Sequence, residues 1–141
     1  MAEIERFRKA YKSTFEKALK EIQGGEKQTH WMWYIFPQMK GLGDSPNAEY
    51  YGIESEKEAR MFLQDEYLGD SLRKICKALL ELETNDALEV FGRIDEIKLR
   101  SSMTLFYIAE GRYPSSVFVK VLDKFFDGEI DDLTVRLLKR K

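Results

Sequence analysis

The stretch EIERFRKAYKSTFEKALKEIQGG, residues 3–25, decides the fold class. Ile4, Phe7, Tyr11, Phe15, Ala18 and Ile22 recur at steps of three and four, which draws one apolar stripe along a helix. Glu5–Lys9 and Glu16–Lys20 stand four residues apart with the acid first, the favourable order on a solvated helix face. Gly24-Gly25 ends the pattern, because glycine accepts the left-handed backbone of a helix C-terminus. The spacing predicts a helix from about Glu3 to Gln23.

The same punctuation recurs downstream. Ser45-Pro46 reads as an N-cap and first helical position, opening a short helix to about Tyr51. Ser55-Glu56-Lys57-Glu58 is a capping box, followed by Ala59, Phe62 and Leu63. A further helix starts around Tyr67–Gly69 and keeps Leu68, Leu72, Ile75, Leu79 and Leu82 in phase. Thr84–Asp86 opens a short helix that Gly92 terminates, and Asp95 caps the next, which Gly111 stops. Ser115 or Ser116 caps a helix with a wide apolar stripe, Val117, Val121 and Phe125 beside Phe118, Leu122 and Phe126, closed by Gly128. Asp131 or Asp132 caps a last helix holding Leu133, Leu137 and Leu138, whose basic end, Lys139-Arg140-Lys141, suits the negative helix terminus.

Thr29–Phe36 reads two ways. It is apolar nearly all round, so it is buried in either case. Thr29 can cap a short helix that Pro37 stops, or the run is a short buried strand. No alternating hairpin pair appears elsewhere. The expected fold is all-α: residues 1–141 form a single domain, an irregular orthogonal array of about seven to eight helices.

Composition narrows the function classes. The 141 residues are 43% hydrophobic and 34% charged, which excludes a disordered chain of low hydrophobicity. The net charge of −2 supplies no basic field for nucleic acid. Cys76 is the one cysteine, so neither a disulfide framework within the chain nor a cysteine zinc site is expected. It falls in an amphipathic helix without a visible base, which reads as an inert buried thiol. No apolar run approaches the ~20 residues of a membrane span, and charges interrupt the N-terminus where a signal core would lie. A cytoplasmic location is the expectation. No metal set or cofactor motif is evident.

Two segments exceed what a core requires. The first is His30-Trp31-Met32-Trp33-Tyr34-Ile35-Phe36-Pro37-Gln38 with Gly41, Gly43 and Ser45. His30 is the one histidine, a residue type suited to general acid/base work, although a histidine beside an apolar run is more often structural. The two glycines let the backbone approach a ligand, and Ser45 adds a hydroxyl; a tight turn with a helix cap accounts for the same residues. No Gly-Lys-Ser/Thr ending and no three-glycine fingerprint accompany them. The second segment runs from Asp95 through Lys98 to Ser101-Ser102-Met103-Thr104. Its hydroxyls are unusual in a helix interior, and Lys98 stands one turn before Ser102 on the same face. Lys98 binds an anion in one reading; in the other it is solvated or pairs with Asp95, and the hydroxyls bond back to the helix.

These motifs resemble those of the domain of unknown function eighteen-ten, whose members are sometimes called calpastatin. The resemblance rests on His30 to Gln38, Gly41-Leu42-Gly43 with Ser45, Tyr51 and Ile53, Lys98 with Ser101 to Phe106, and Val121 to Phe126 with Gly128. It covers nearly the whole chain and implies a compact, all-helical, intracellular domain with no assigned reaction. Tyr11 replaces a usual glutamine, and Asp65-Glu66-Tyr67 stands where His-Pro often precedes Leu-Gly.

The leading expectation is that the 30–45 and 95–106 segments meet in one small-molecule pocket. Trp31, Trp33 or Tyr51 would stack on a ligand, and Gln38, Gly41, Gly43, Ser45, Ser102 and Thr104 would bind it. His30 and Lys98 would be its acid/base and electrostatic groups if it is enzymatic, and the ligand would be anionic or nucleotide-like. The competing expectation is a protein-interaction module without catalysis, in which the motifs serve the fold.

Overall fold

The computed structural model describes residues 2–140 as eight helices. They are α1 (Ala2–Gln23), α2 (Met32–Ile35), α3 (Pro46–Tyr50), α4 (Glu56–Gln64), α5 (Glu66–Leu80), α6 (Ala87–Glu110), α7 (Val117–Phe126) and α8 (Asp132–Arg140). Lys141, part of the expected basic end, lies outside the described residues. Among the described residues there is no strand, and the chain is all-α as its periodicities predict; no helix is long and apolar enough to cross a membrane. The surface, 7653 Å², matches the ~7,600 Å² that size scaling gives a folded chain of this mass.

The α1 stripe is buried throughout, from Ile4 to Ile22. Aromatic contacts continue it through the molecule: Phe7 meets Phe62 at 5.2 Å, Phe62 meets Phe106 at 5.2 Å, and Phe106 meets Phe118 at 5.8 Å. One core therefore joins α1, α4, α6 and α7. α6 packs on α4, α7 and α8, while α1 packs on α2, α4 and α5, an irregular array rather than an up-down bundle. Tyr11 lies fully buried in this core and donates its hydroxyl to Ile35 O at 2.6 Å, tying α1 to the end of α2.

Caps fall where short polar side chains invite them. Ser45, Ser55 and Ser116 each accept a backbone N–H at the start of a helix, and Asp131 does the same for Thr134. Glu58 reaches back one residue further than a standard capping box, accepting from Glu54 N–H, and its other oxygen pairs with Arg6. Asp65 closes α4, caps α5 through Leu68 N–H, and binds Arg8.

Two expectations are corrected, and the open reading of 29–36 is decided as helical. Thr29 does not cap α2; it donates its hydroxyl to Glu21, and Trp31 holds the cap position without a side-chain bond. Asp95 does not cap a helix. Asp86 caps the first part of α6, which Gly92 ends as expected with φ +84° and ψ 168°, and a second helical part continues past this break to Glu110. Asp95 lies beyond that break and is drawn into ion pairs instead. The 29–36 run is a single helical turn, and the extended backbone comes after it: Met39 and Ile53 form an isolated parallel bridge.

Candidate functional site

Glu21 organises the first motif. Its carboxylate accepts from Gln28 N–H, Thr29 N–H, the Thr29 hydroxyl and the Trp31 indole N–H, at 2.6–3.1 Å. Burial pushes its pKa up most strongly as a single influence, but these four donors together outweigh it and hold the group down at about 2. Trp31 is thereby fixed in the core with no exposed surface.

The chain then passes Pro37 into the bridge. Lys40 N–H donates to Ile53 O and Ile53 N–H donates to Gln38 O, both at 2.9 Å. This pins the Gln38 backbone. Gly52 permits the contact, since a Cβ there would sit 2.7 Å from Lys40 Cα.

Gln38 and Lys98 stand about sixty residues apart in sequence, and the fold makes them a common wall between two hollows. The outer one is an open groove of about 390 Å³. Leu42 and Gly43 border it from the 38–43 loop, Ile94, Ile97 and Ser101 from α6, and Leu133 from α8. The inner hollow has room for about one water, roughly 10 Å³, and is lined by Trp33, Phe36 and Tyr51. Trp33 lies 5.8 Å, measured to its ring, from the Lys98 ammonium.

Electrostatics at the rim are uneven. Asp95 binds Lys27 at 2.8 Å and Lys98 at 3.8 Å, so two ammoniums share one carboxylate and Lys98 has the weaker share. Arg93 is exposed on the same rim. Asp131 lines the groove as well, but one of its oxygens accepts from the Ser101 hydroxyl and from the N–H and hydroxyl of Thr134.

The sequence-predicted residues divide accordingly. Gln38, Gly43 and Lys98 line the outer groove, and Trp33, Gln38, Tyr51 and Lys98 line the inner hollow. His30 is exposed, lines neither hollow and has no bonding partner among the described residues. Gly41 takes φ +104° beside Leu137, and Ser45 spends its oxygen on Ala48 N–H. Thr104 is buried, donates to Arg100 O and accepts from Asp131 N–H. Ser102 is buried and its hydroxyl has no partner among the described residues. Sequence reasoning missed Leu42, Arg93, Ile94, Ile97 and Leu133. A usable signal existed: Ile94, Ile97 and Ser101 form a second helical stripe, off the Leu99–Phe106 core face.

A second groove, about 340 Å³ between α1 and α5, is walled by Lys12, Glu16, Asp70 and Lys74. Its alternating charges offset one another and select no ligand class.

Comparison with known proteins gives a family and a fold without an activity. The model of a family described as "Protein of unknown function (DUF1810)" matches residues 1–138. The crystal structure of the conserved hypothetical protein Rv1873 from Mycobacterium tuberculosis is similar, at 39% identity over 96% of each chain with a TM-score of 0.92. No curated protein matches.

Proposed function

We propose that this chain, which belongs to the DUF1810 family of proteins of unknown function, binds a small anionic molecule in the groove between its 38–43 loop and α6. The observation that carries the reading is the meeting of Gln38 and Lys98 at an open apolar hollow whose volume lies in the range of small-molecule sites. Lys98 supplies charge that Asp95 only partly neutralises. Gln38 supplies an amide on a backbone whose carbonyl is held by Ile53 N–H. The role is binding: Lys98 orients and stabilises an anion, and His30, outside both hollows, takes no part.

An amide-resolved NMR screen of the full chain against small anionic fragments tests this. Hits should shift Gln38, Gly43 and Lys98 together, and Lys98→Ala should weaken them at least tenfold while His30→Ala leaves them unchanged. A screen in which no fragment moves these amides ends the proposal.

A second reading has its own support. Ile94, Ile97 and Leu133 are 70%, 62% and 56% exposed, apolar surface of the kind a protein partner covers. Self-association that is abolished by Ile97→Asp, with fragment shifts absent, would favour that reading.

A further inference from the structure

The groove's occupant can be specified further, on the premise that it is a small-molecule site. We infer that it takes an amphipathic monocarboxylate: an alkyl or aryl body ending in one carboxylate.

The walls choose the body. Ile94 and Ile97 of α6 and Leu133 of α8 line the groove while remaining mostly exposed, and Leu42 lines it from the loop. Covering such surface removes apolar area from water, the main driving force for an uncharged chain to enter. The space, about 390 Å³, admits roughly a dozen water-sized groups at ~30 Å³ each. That is the scale of a medium-length acyl chain or a substituted ring.

The rim chooses the head. Lys27, Asp95 and Lys98 together leave one positive charge, and it resides at Lys98, the member farther from the carboxylate. Arg93 adds a second cation on the same edge, without a bonding partner among the described residues. The Gln38 amide borders the same space and has no partner there either. A carboxylate has two oxygens; one meets the Lys98 ammonium and the other the Gln38 amide.

The same observations argue against a polyphosphate. Such a group needs several converging backbone N–H donors or a cluster of cations. The glycine loop adds no donor, and beyond Lys98 and Arg93 the remaining cation of the rim, Lys27, is committed to Asp95. Leu42 N–H is turned to Met39 O, Gly43 is packed where a Cβ would sit 2.8 Å from Ala48 Cβ, and the start of α3 is occupied by Ser45. Asp131, bonded to Ser101 at the groove's edge, repels additional negative charge. Apolar walls would also leave a highly charged ligand poorly solvated.

Isothermal titration of the full chain with three probes tests the assignment: octanoate, its neutral amide octanamide, and ADP. Octanoate should bind with a sub-millimolar Kd, octanamide at least tenfold more weakly, and ADP not measurably. Lys98→Met should bring octanoate down to the level of octanamide, and Lys98→Arg should restore much of the difference. Leu133→Asp, at an exposed position, should remove both. Circular dichroism and an unchanged Tm show that each variant is folded. Equal affinity for octanoate and octanamide overturns the carboxylate assignment. ADP binding with octanoate silent overturns the monoanion and leaves the groove as a binding site. Silence of octanoate while other fragments still move Gln38 and Lys98 overturns the ligand class alone; silence of every fragment overturns the groove reading beneath it.

Discussion

Lys27 reaches across the break in α6 and pairs with Asp95 at 2.8 Å, while its own backbone N–H donates to Val90 O on the near side of the break at 2.8 Å. One residue thus holds both halves of α6 around Gly92, and it determines how much of Asp95 is left for Lys98. The Lys27 side chain is only 8% exposed, so its loss leaves a charge poorly paired.

Lys27→Met should therefore lower stability by ~1–3 kcal/mol, less than for a fully buried pair because Asp95 keeps some solvent and Lys98. It should also weaken anion binding, because Asp95 then neutralises Lys98 more fully. Urea denaturation and fragment titration of the same variant check both signs. An unchanged midpoint would mean that the bridge across Gly92 contributes nothing to stability.

Glu21 makes stability depend on acid. Its folded pKa, about 2, lies below the ordinary value of 4.5, so its contribution is fully present above pH 4.5 and is lost as pH falls through about 2. At full weight the shift corresponds to ~3 kcal/mol, and solvent screening at this partly open carboxylate reduces it to ~1–2 kcal/mol. Glu21→Gln should be less stable than the parent at pH 7, and the gap should narrow between pH 4.5 and 2. A gap that stays constant over that window would remove the carboxylate's charge from the account.

Ser102 and Thr104 should respond in opposite directions. Ser102→Ala removes a buried hydroxyl with no partner among the described residues and should raise stability by ~0.5–1 kcal/mol. Thr104→Val removes the bonds to Arg100 O and from Asp131 N–H and should cost ~1–3 kcal/mol. Chemical denaturation of the pair decides the matter. Destabilisation by Ser102→Ala would point to a bound water or ligand on that hydroxyl.

Gly92 isolates backbone strain from packing. A Cβ there meets nothing within 4 Å, yet φ +84° with ψ 168° belongs to a region nearly restricted to glycine. Gly92→Ala should cost ~1–3 kcal/mol without any clash. It should also disturb binding, since Arg93, Ile94 and Ile97 follow directly in the groove wall. Full parent stability in this variant would show that the break tolerates an ordinary residue.

The helices, most of their caps and the core stripes were legible from residue order alone. A helix period and a serine or aspartate cap act within one turn, so each leaves its mark on neighbouring positions. Ser55 before Glu58 and the stripe from Ile4 to Ile22 carry their structure in their spacing. Asp95 misled that reading because an acid beyond a glycine looks like a cap, whereas Lys27, distant in sequence, claims it. His30 stands outside both hollows, because adjacency to an aromatic motif does not determine which way a side chain faces. Of the groove, only Gln38, Gly43 and Lys98 were legible; its apolar wall was not. That wall is assembled from distant segments: the Met39–Ile53 bridge fixes the loop, α6 resumes beyond Gly92 with Ile94 and Ile97, and Asp131 caps the helix that brings in Leu133. Local spacing encodes contacts one helical turn away; a hollow is defined by surfaces that remain uncovered after all distant segments have packed, and only the tertiary arrangement determines those.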